Sequence, residues 1–188
     1  MNDISFTSGI RPVLWNDFLK YKSVMSADNF VGHPWLISSS KVAGDVYTTN
    51  ICDCTSCLIT DGKKALMMHL NSCSEHNQDF RNVLKYISNN MNLSDNNLQA
   101  VLVGSKSSNA LSAKIFKSFT LLLNHLKIPV TILKNGFGST SIAYRTCKDE
   151  VVVSNFAIEK ALNSGQKGIK ALESGFQEVK ISDLDYVL

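Results

Sequence analysis

Apolar residues change their spacing several times along this chain, and each change predicts a new element. From Pro12 to Tyr21, the residues Val13, Leu14, Phe18 and Tyr21 follow a short helical pattern. The stretch from Asp28 to Ser40 is polar, carries Gly32, Pro34 and three consecutive serines, and reads as a loop or arm. "VAGDVYTTNI" reads as a strand. "CLIT" and "ALMMHL" then flank "DGKK", and Asp61-Gly62 between two apolar runs signals a hairpin. From Asp79 the period lengthens: Phe80, Val83, Leu84 and Ile87 fall at i, i+3, i+4 and i+7, an amphipathic helix. "LQAVLVG" is a buried strand closed by Gly104. Ser108 or Asn109 caps the next helix, whose apolar stripe holds Ile115, Phe116, Phe119, Leu122, Leu123 and Leu126. "IPVTILK", "STSIAYRT" and "EVVVSN" are further strands, the last two joined by a tight turn at Lys148-Asp149. Ala157 to Leu162 predicts a last helix, and the Gly-rich remainder reads as a loosely attached extension.

Hairpins dominate this order, with one strand–helix–strand crossover among them. The pattern predicts an α+β fold: mixed, mostly antiparallel β-sheets in a β-sandwich-like core with flanking helices. Residues 1–41 form an N-terminal helix and loop extension in this reading, 42–155 the core domain, and 156–188 a C-terminal helix and tail.

Composition narrows the function classes. A chain of 188 residues with 44% hydrophobic and 19% charged content can bury a core without staples. The net charge of +3 is spread without a Lys/Arg run, which argues against a nucleic-acid partner. Apolar runs fall well short of the ~18 residues that a membrane span needs. "MNDISFTSGIRPVLWND" has no basic start followed by an apolar stretch, so no Sec-type signal is read there. Five cysteines is an odd count, and it suits reduced thiols in a cytosol. A protein delivered into a host cytosol by a dedicated secretion system has the same signature.

The chemistry concentrates between Cys52 and Leu70, which hold three cysteines and one histidine. Three readings compete. In the first, Cys57 is a nucleophile and His69 its base. If the hairpin is centred near residues 62–63, the two are mirror positions on adjacent strands, within reach of each other. In the second, Cys52, Cys54, Cys57, His69, Cys73 and His76 bind zinc in a C-x-C-x2-C…H-x3-C-x2-H array, whose spacing is not that of a standard zinc knuckle. In the third, Cys57 is core filler, because cysteine is among the most buried residue types.

The run "TTNICDCTSCLITDGKKALMMHL" resembles the catalytic segment of the chemoreceptor glutamine deamidase family CheD. There a Ser-Cys heads one strand and a His precedes Leu at the end of the next, as Ser56-Cys57 and His69-Leu70 do here. Deamidating toxins of the cytotoxic necrotizing factor and Burkholderia lethal factor type use the same order. The later run "LQAVLVGS" through "IPVTILKNGFG" to "EVVVSN" also follows the CheD pattern, so the likeness covers roughly Val42 to Asn155.

The resemblance implies a CheD-like domain that deamidates a surface glutamine of a protein substrate, with a Cys–His dyad, a thioester intermediate and no metal or organic cofactor. The family carries a threonine six residues before its cysteine. Counted from Cys57 that position is Ile51, so the third member is expected to be Thr49, brought in by a strand bulge, or a backbone carbonyl near residues 48–51. Cys54 and Thr55 then shape the pocket, and Cys73, His76 and Cys147 are structural or incidental. A zinc-binding interaction module, or a thiol protease or transglutaminase, stand as alternatives.

Overall fold

The computed structural model describes residues 9–24, 30–31, 39–43, 45–71, 77–104, 109–135 and 138–177. In chain order these form β1 (Ile10–Pro12), α1 (Trp15–Val24), β2 (Ser39–Ala43), β3 (Val46–Ile51), β4 (Thr55–Thr60) and β5 (Ala65–Leu70). Next come α2 (Asn77–Asn90), β6 (Gln99–Gly104), α3 (Ala110–His125), β7 (Val130–Asn135), β8 (Thr140–Arg145) and β9 (Glu150–Asn155). The described chain ends with α4 (Phe156–Asn163), α5 (Ile169–Gly175) and β10 (Phe176–Gln177).

The fold is α+β, with two sheets. One has the order β10-β7-β6-β4-β5-β2, the other β1-β9-β8-β3. All neighbours pair antiparallel except β6 with β7 and β1 with β9. The parallel β6–β7 pair is the crossover read from the sequence, with α3 between its strands. Asn109 caps α3 as expected, its Oδ1 accepting from the amides of Leu111 and Ser112.

Strand alternation sorts the apolar side chains into three layers. Leu58, Met67, Val101 and Val103 of the larger sheet meet Ile51, Ile142, Tyr144 and Val153 of the smaller one, which makes the core between the sheets. Cys57, Ile59, Leu66, Met68 and Leu102 face the other way and pack under Val83 and Ile87 of α2 and Phe116 and Phe119 of α3. A small third cluster, Phe18 with Ala143 and Val152, seats α1 on the outside of the smaller sheet. Both strands of the β4–β5 hairpin are therefore buried on both faces.

Two expectations change. "VAGDVYTTNI" is not one strand: β2 joins the larger sheet beside β5, and β3 joins the smaller one beside β8. The segment after α4 is also not loosely attached as far as Gln177. Ala171 of α5 is buried, Gly175 lies so close to Ile158 that a Cβ there would sit 2.5 Å from its side chain, and β10 pairs with β7. The sequence hides this because α5 and β10 are only 7 and 2 residues long, too short for a periodic signal. Among the described residues no helix is long and apolar enough to cross a membrane.

Candidate active site

The hairpin register decides which side chains can meet. Thr60 pairs with Ala65, leaving Asp61 to Lys64 as a four-residue connection. Its shape is set locally: Asp61 Oδ1 accepts from the amides of Lys63 and Lys64, Thr60 Oγ1 accepts from the Gly62 amide, and Gly62 takes φ +82°. With that loop, Ser56 lies opposite His69 and Cys57 opposite Met68. The expected mirror pairing of Cys57 with His69 is one residue out. A one-residue slip moves a side chain to the other face of the sheet.

This corrects the predicted dyad. Cys57 points into the helix-covered core, fully buried among Ile59, Leu66, Met68 and Leu102. Burial pushes its thiol far above the ordinary range, so it holds its proton at neutral pH. His69 follows Ala65 and Met67 onto the face between the sheets. Cys57 and His69 therefore lie on opposite sides of the larger sheet, and Cys57 is core filler.

His69 is held by Thr48, which comes from β3 in the facing sheet. Thr48 Oγ1 lies 2.6 Å from His69 Nδ1 and 2.6 Å from the carbonyl oxygen of Val31. A hydroxyl has one proton, and a carbonyl can only accept. Thr48 therefore donates to Val31, and its remaining lone pair accepts from Nδ1–H. In the neutral ring that fixes the tautomer: the proton sits on Nδ1, and Nε2 carries the basic lone pair. This is the orienter expected of Thr49. Strand alternation gives the job to Thr48, whose Cα partner Ile142 faces the inter-sheet core, and no hydrogen bond joins Thr49 to His69.

With His69 placed, strand parity points to Cys54 as the cysteine assigned to its face. It sits in the bend Cys52–Cys54, directly before β4, two residues ahead of Ser56. Strand parity extended back from Leu58 and Ser56 into the bend assigns it to the histidine side. Cys54 is buried, with 8% of its surface exposed against 0% for Cys57.

The bend is fixed from both sides. Ile51, its last residue on β3, gives its carbonyl to Asn135 Nδ2 at 3.0 Å, and Asn135 Oδ1 accepts from Thr140 Oγ1 at 2.7 Å. On the β6 side, a Cβ at Gly104 would stand 2.7 Å from the Cys54 carbonyl and 3.0 Å from Thr55 Cα, so only glycine lets the strands approach this closely. Ser56 Oγ, fully buried on the histidine face, has no hydrogen-bond partner among the described residues.

Among the described members of the zinc array, Cys57 is turned away from His69. Among the described residues no group of three or more His, Cys, Asp or Glu side chains is placed to hold a metal ion. Cys73 and His76 lie outside the described residues. Cys147 is exposed, in the turn between β8 and β9.

One signal for this arrangement is present in the sequence. The six-residue spacing of threonine to cysteine that the resemblance asks for is absent for Cys57 but present between Thr48 and Cys54. Compared with known proteins, the chain matches no family model and no curated sequence.

Proposed function

We propose that the protein is a cysteine-dependent protein-glutamine deamidase whose working groups are Cys54, His69 and Thr48. The observation that carries this reading is the Thr48–His69 contact. It sets the imidazole tautomer from the far side and leaves Nε2 as the base, on the face and at the strand end where Cys54 sits. The resemblance to the deamidase segment supports it too, with the cysteine moved three residues earlier than the motif first suggests.

The chemistry follows from those roles. Nε2 of His69 takes the Cys54 thiol proton, and the thiolate attacks the carboxamide carbon of a glutamine. The tetrahedral intermediate collapses as His69 gives that proton to the departing nitrogen, which leaves as ammonia with a thioester behind. Water then gives a proton to Nε2 and attacks the thioester carbonyl. The C–S bond breaks, the thiolate recovers its proton, and glutamate is released. Thr48 holds the ring throughout, and its acceptor lone pair stabilises the Nδ1–H of the imidazolium. A reaction that depends on a reduced thiol suits a cytosol, the producing cell's own or that of a host into which the protein is delivered.

The test is intact-mass analysis of candidate substrate proteins incubated with the enzyme, looking for the gain of about one dalton that turns amide into acid. An added primary amine separates hydrolysis from transglutamination, since both share the thioester. A Cys54→Ala protein that still produces the mass gain overturns the reading.

A further inference from the structure

The outer face of the smaller sheet carries a second polar site, away from Cys54 and His69. Beyond the part of that face covered by α1, a cleft of about 200 Å³ opens between the start of α1 and the start of α4. Its floor is the cross-strand pair Ser141 and Ser154. These residues are only 5% and 3% exposed, yet neither hydroxyl has a hydrogen-bond partner among the described residues. Two aromatic rings wall it: Trp15, 37% exposed and stacked on Phe18, and Phe156, 76% exposed. Glu159 reaches the rim from α4 and makes no ion pair among the described residues. Asn50 closes the fourth side in a left-handed conformation, φ +60°, at the bulge between Thr48 and Ile51, a conformation asparagine adopts more readily than other non-glycine residues.

Together these features select a ligand charge. The two serine hydroxyls line the cleft and offer hydrogen-bonding groups to whatever enters it. An aromatic wall beside a lone carboxylate is the environment that a desolvated cation prefers. The N-terminus of α4 also borders the cleft and would attract anions, but its positive end amounts to about half a charge. Asn155 Oδ1 already accepts one of its amides, from Ile158, while Glu159 brings a full negative charge. No lysine or arginine lines the cleft. Its width and open mouth suit a group carried on an aliphatic stem.

We propose that this cleft binds the guanidinium group of an arginine presented by a protein partner. The flat group slides along the rings, donates to Glu159 and reaches the two serine hydroxyls with its remaining N–H groups. The site stands independently of whether Cys54 is a nucleophile.

The probe is a short acetylated Gly-Arg-Gly amide, compared with the same peptide carrying citrulline, followed by chemical-shift changes in the folded full-length protein. The arginine peptide is expected to shift the Trp15 indole and the Asn50 and Phe156 amides to saturation, with the citrulline peptide roughly tenfold weaker. Glu159→Gln is expected to remove that difference by weakening the arginine peptide alone. Phe156→Ala, at a ring too exposed to matter for folding, is expected to weaken it as well. Absence of shifts at these three residues, equal binding of the two peptides, or indifference to Glu159→Gln overturns the proposal.

Discussion

The two faces of the β4–β5 hairpin offer a comparison, because Cys57 lies on one and strand parity assigns Cys54, in the bend before β4, to the other. On the helix-covered face Cys57 packs with Ile59, Leu66, Met68 and Leu102. On the inter-sheet face the same two strands present Ser56 and His69, and the facing sheet contributes Thr48. A thiol in the first setting is an apolar filler whose pKa burial raises. The second setting holds an imidazole with an assigned tautomer. Residue type is the same; what differs is which layer the strand parity sends it to. Chemistry follows the face that receives polar side chains from a second element.

The largest test of that contrast exchanges the cysteines one at a time. Cys54→Ala is expected to abolish turnover, a loss of several orders of magnitude, with the melting temperature little changed. Cys57→Ser is expected to do the reverse. It keeps turnover but places an unsatisfied hydroxyl in an apolar core, which costs about 1–3 kcal/mol of stability. Activity of both proteins on a glutamine substrate, with urea unfolding alongside, checks it. Turnover lost in folded Cys57→Ser and kept in Cys54→Ala would reverse the assignment of the two faces.

Next comes the orienter. Thr48→Val removes the acceptor of Nδ1–H and leaves the Val31 carbonyl without its donor. The ring can then adopt the wrong tautomer, and turnover is expected to fall by roughly two to four orders of magnitude. Thr49→Val, one residue along the same strand, is expected to change it less than about twofold. Equal effects of the two would mean that Thr48 acts only through packing.

The contrast also explains what could be read before the structure. The hairpin, the amphipathic α2, the Asn109 cap and the crossover at α3 all rest on local periodicity, and their elements stand where it put them. The site rests on parity, which local periodicity fixes poorly here. All six residues of β4 and all six of β5 are buried, so no alternation of polar and apolar positions shows which face is which. A turn centre misplaced by half a residue then exchanges Cys57 for Ser56 opposite His69. The proposed reassignment to Cys54 also meets the threonine spacing of the resemblance, since Thr48 and Cys54 are six residues apart and position 51, six before Cys57, is Ile. The short β1, α5 and β10 were not legible, because elements of 3, 7 and 2 residues are defined by their partners rather than by their own pattern.

A smaller effect is expected from the backbone that supports the active face. Gly104→Ala forces a Cβ against the Cys54 carbonyl at a φ of +150°. Strand and bend must separate, at a cost of about 1–3 kcal/mol. Displacing Cys54 by a fraction of an ångström is expected to lower kcat by roughly ten- to a hundredfold, beyond what the stability loss explains. Measuring kcat well below the melting temperature isolates that part. A variant that melts earlier but turns over normally would show that the bend tolerates movement.

The smallest expected effect concerns the sealed thiol. Burial raises the pKa of Cys57 in the folded protein, so above the ordinary thiol pKa of about 8.5 the folded chain holds a proton that the unfolded chain has released. The unfolded state then binds fewer protons, and stability falls as pH rises, by up to about 1.4 kcal/mol for each unit. Tyr47 and Tyr144 are raised by burial as well and act in the same direction, but only from their own ordinary range near about 10. Between about pH 8 and 9.5 the thiol's share can be isolated as the difference between the wild type and Cys57→Ala. The other thiols titrate alike in both unfolded chains and cancel. The wild type is expected to lose about 1 kcal/mol more than Cys57→Ala across that window, read from urea midpoints at each pH. A wild-type minus Cys57→Ala difference that stays flat with pH would mean that the thiol ionises in the folded state, and the apolar face would no longer be the silent half of the comparison.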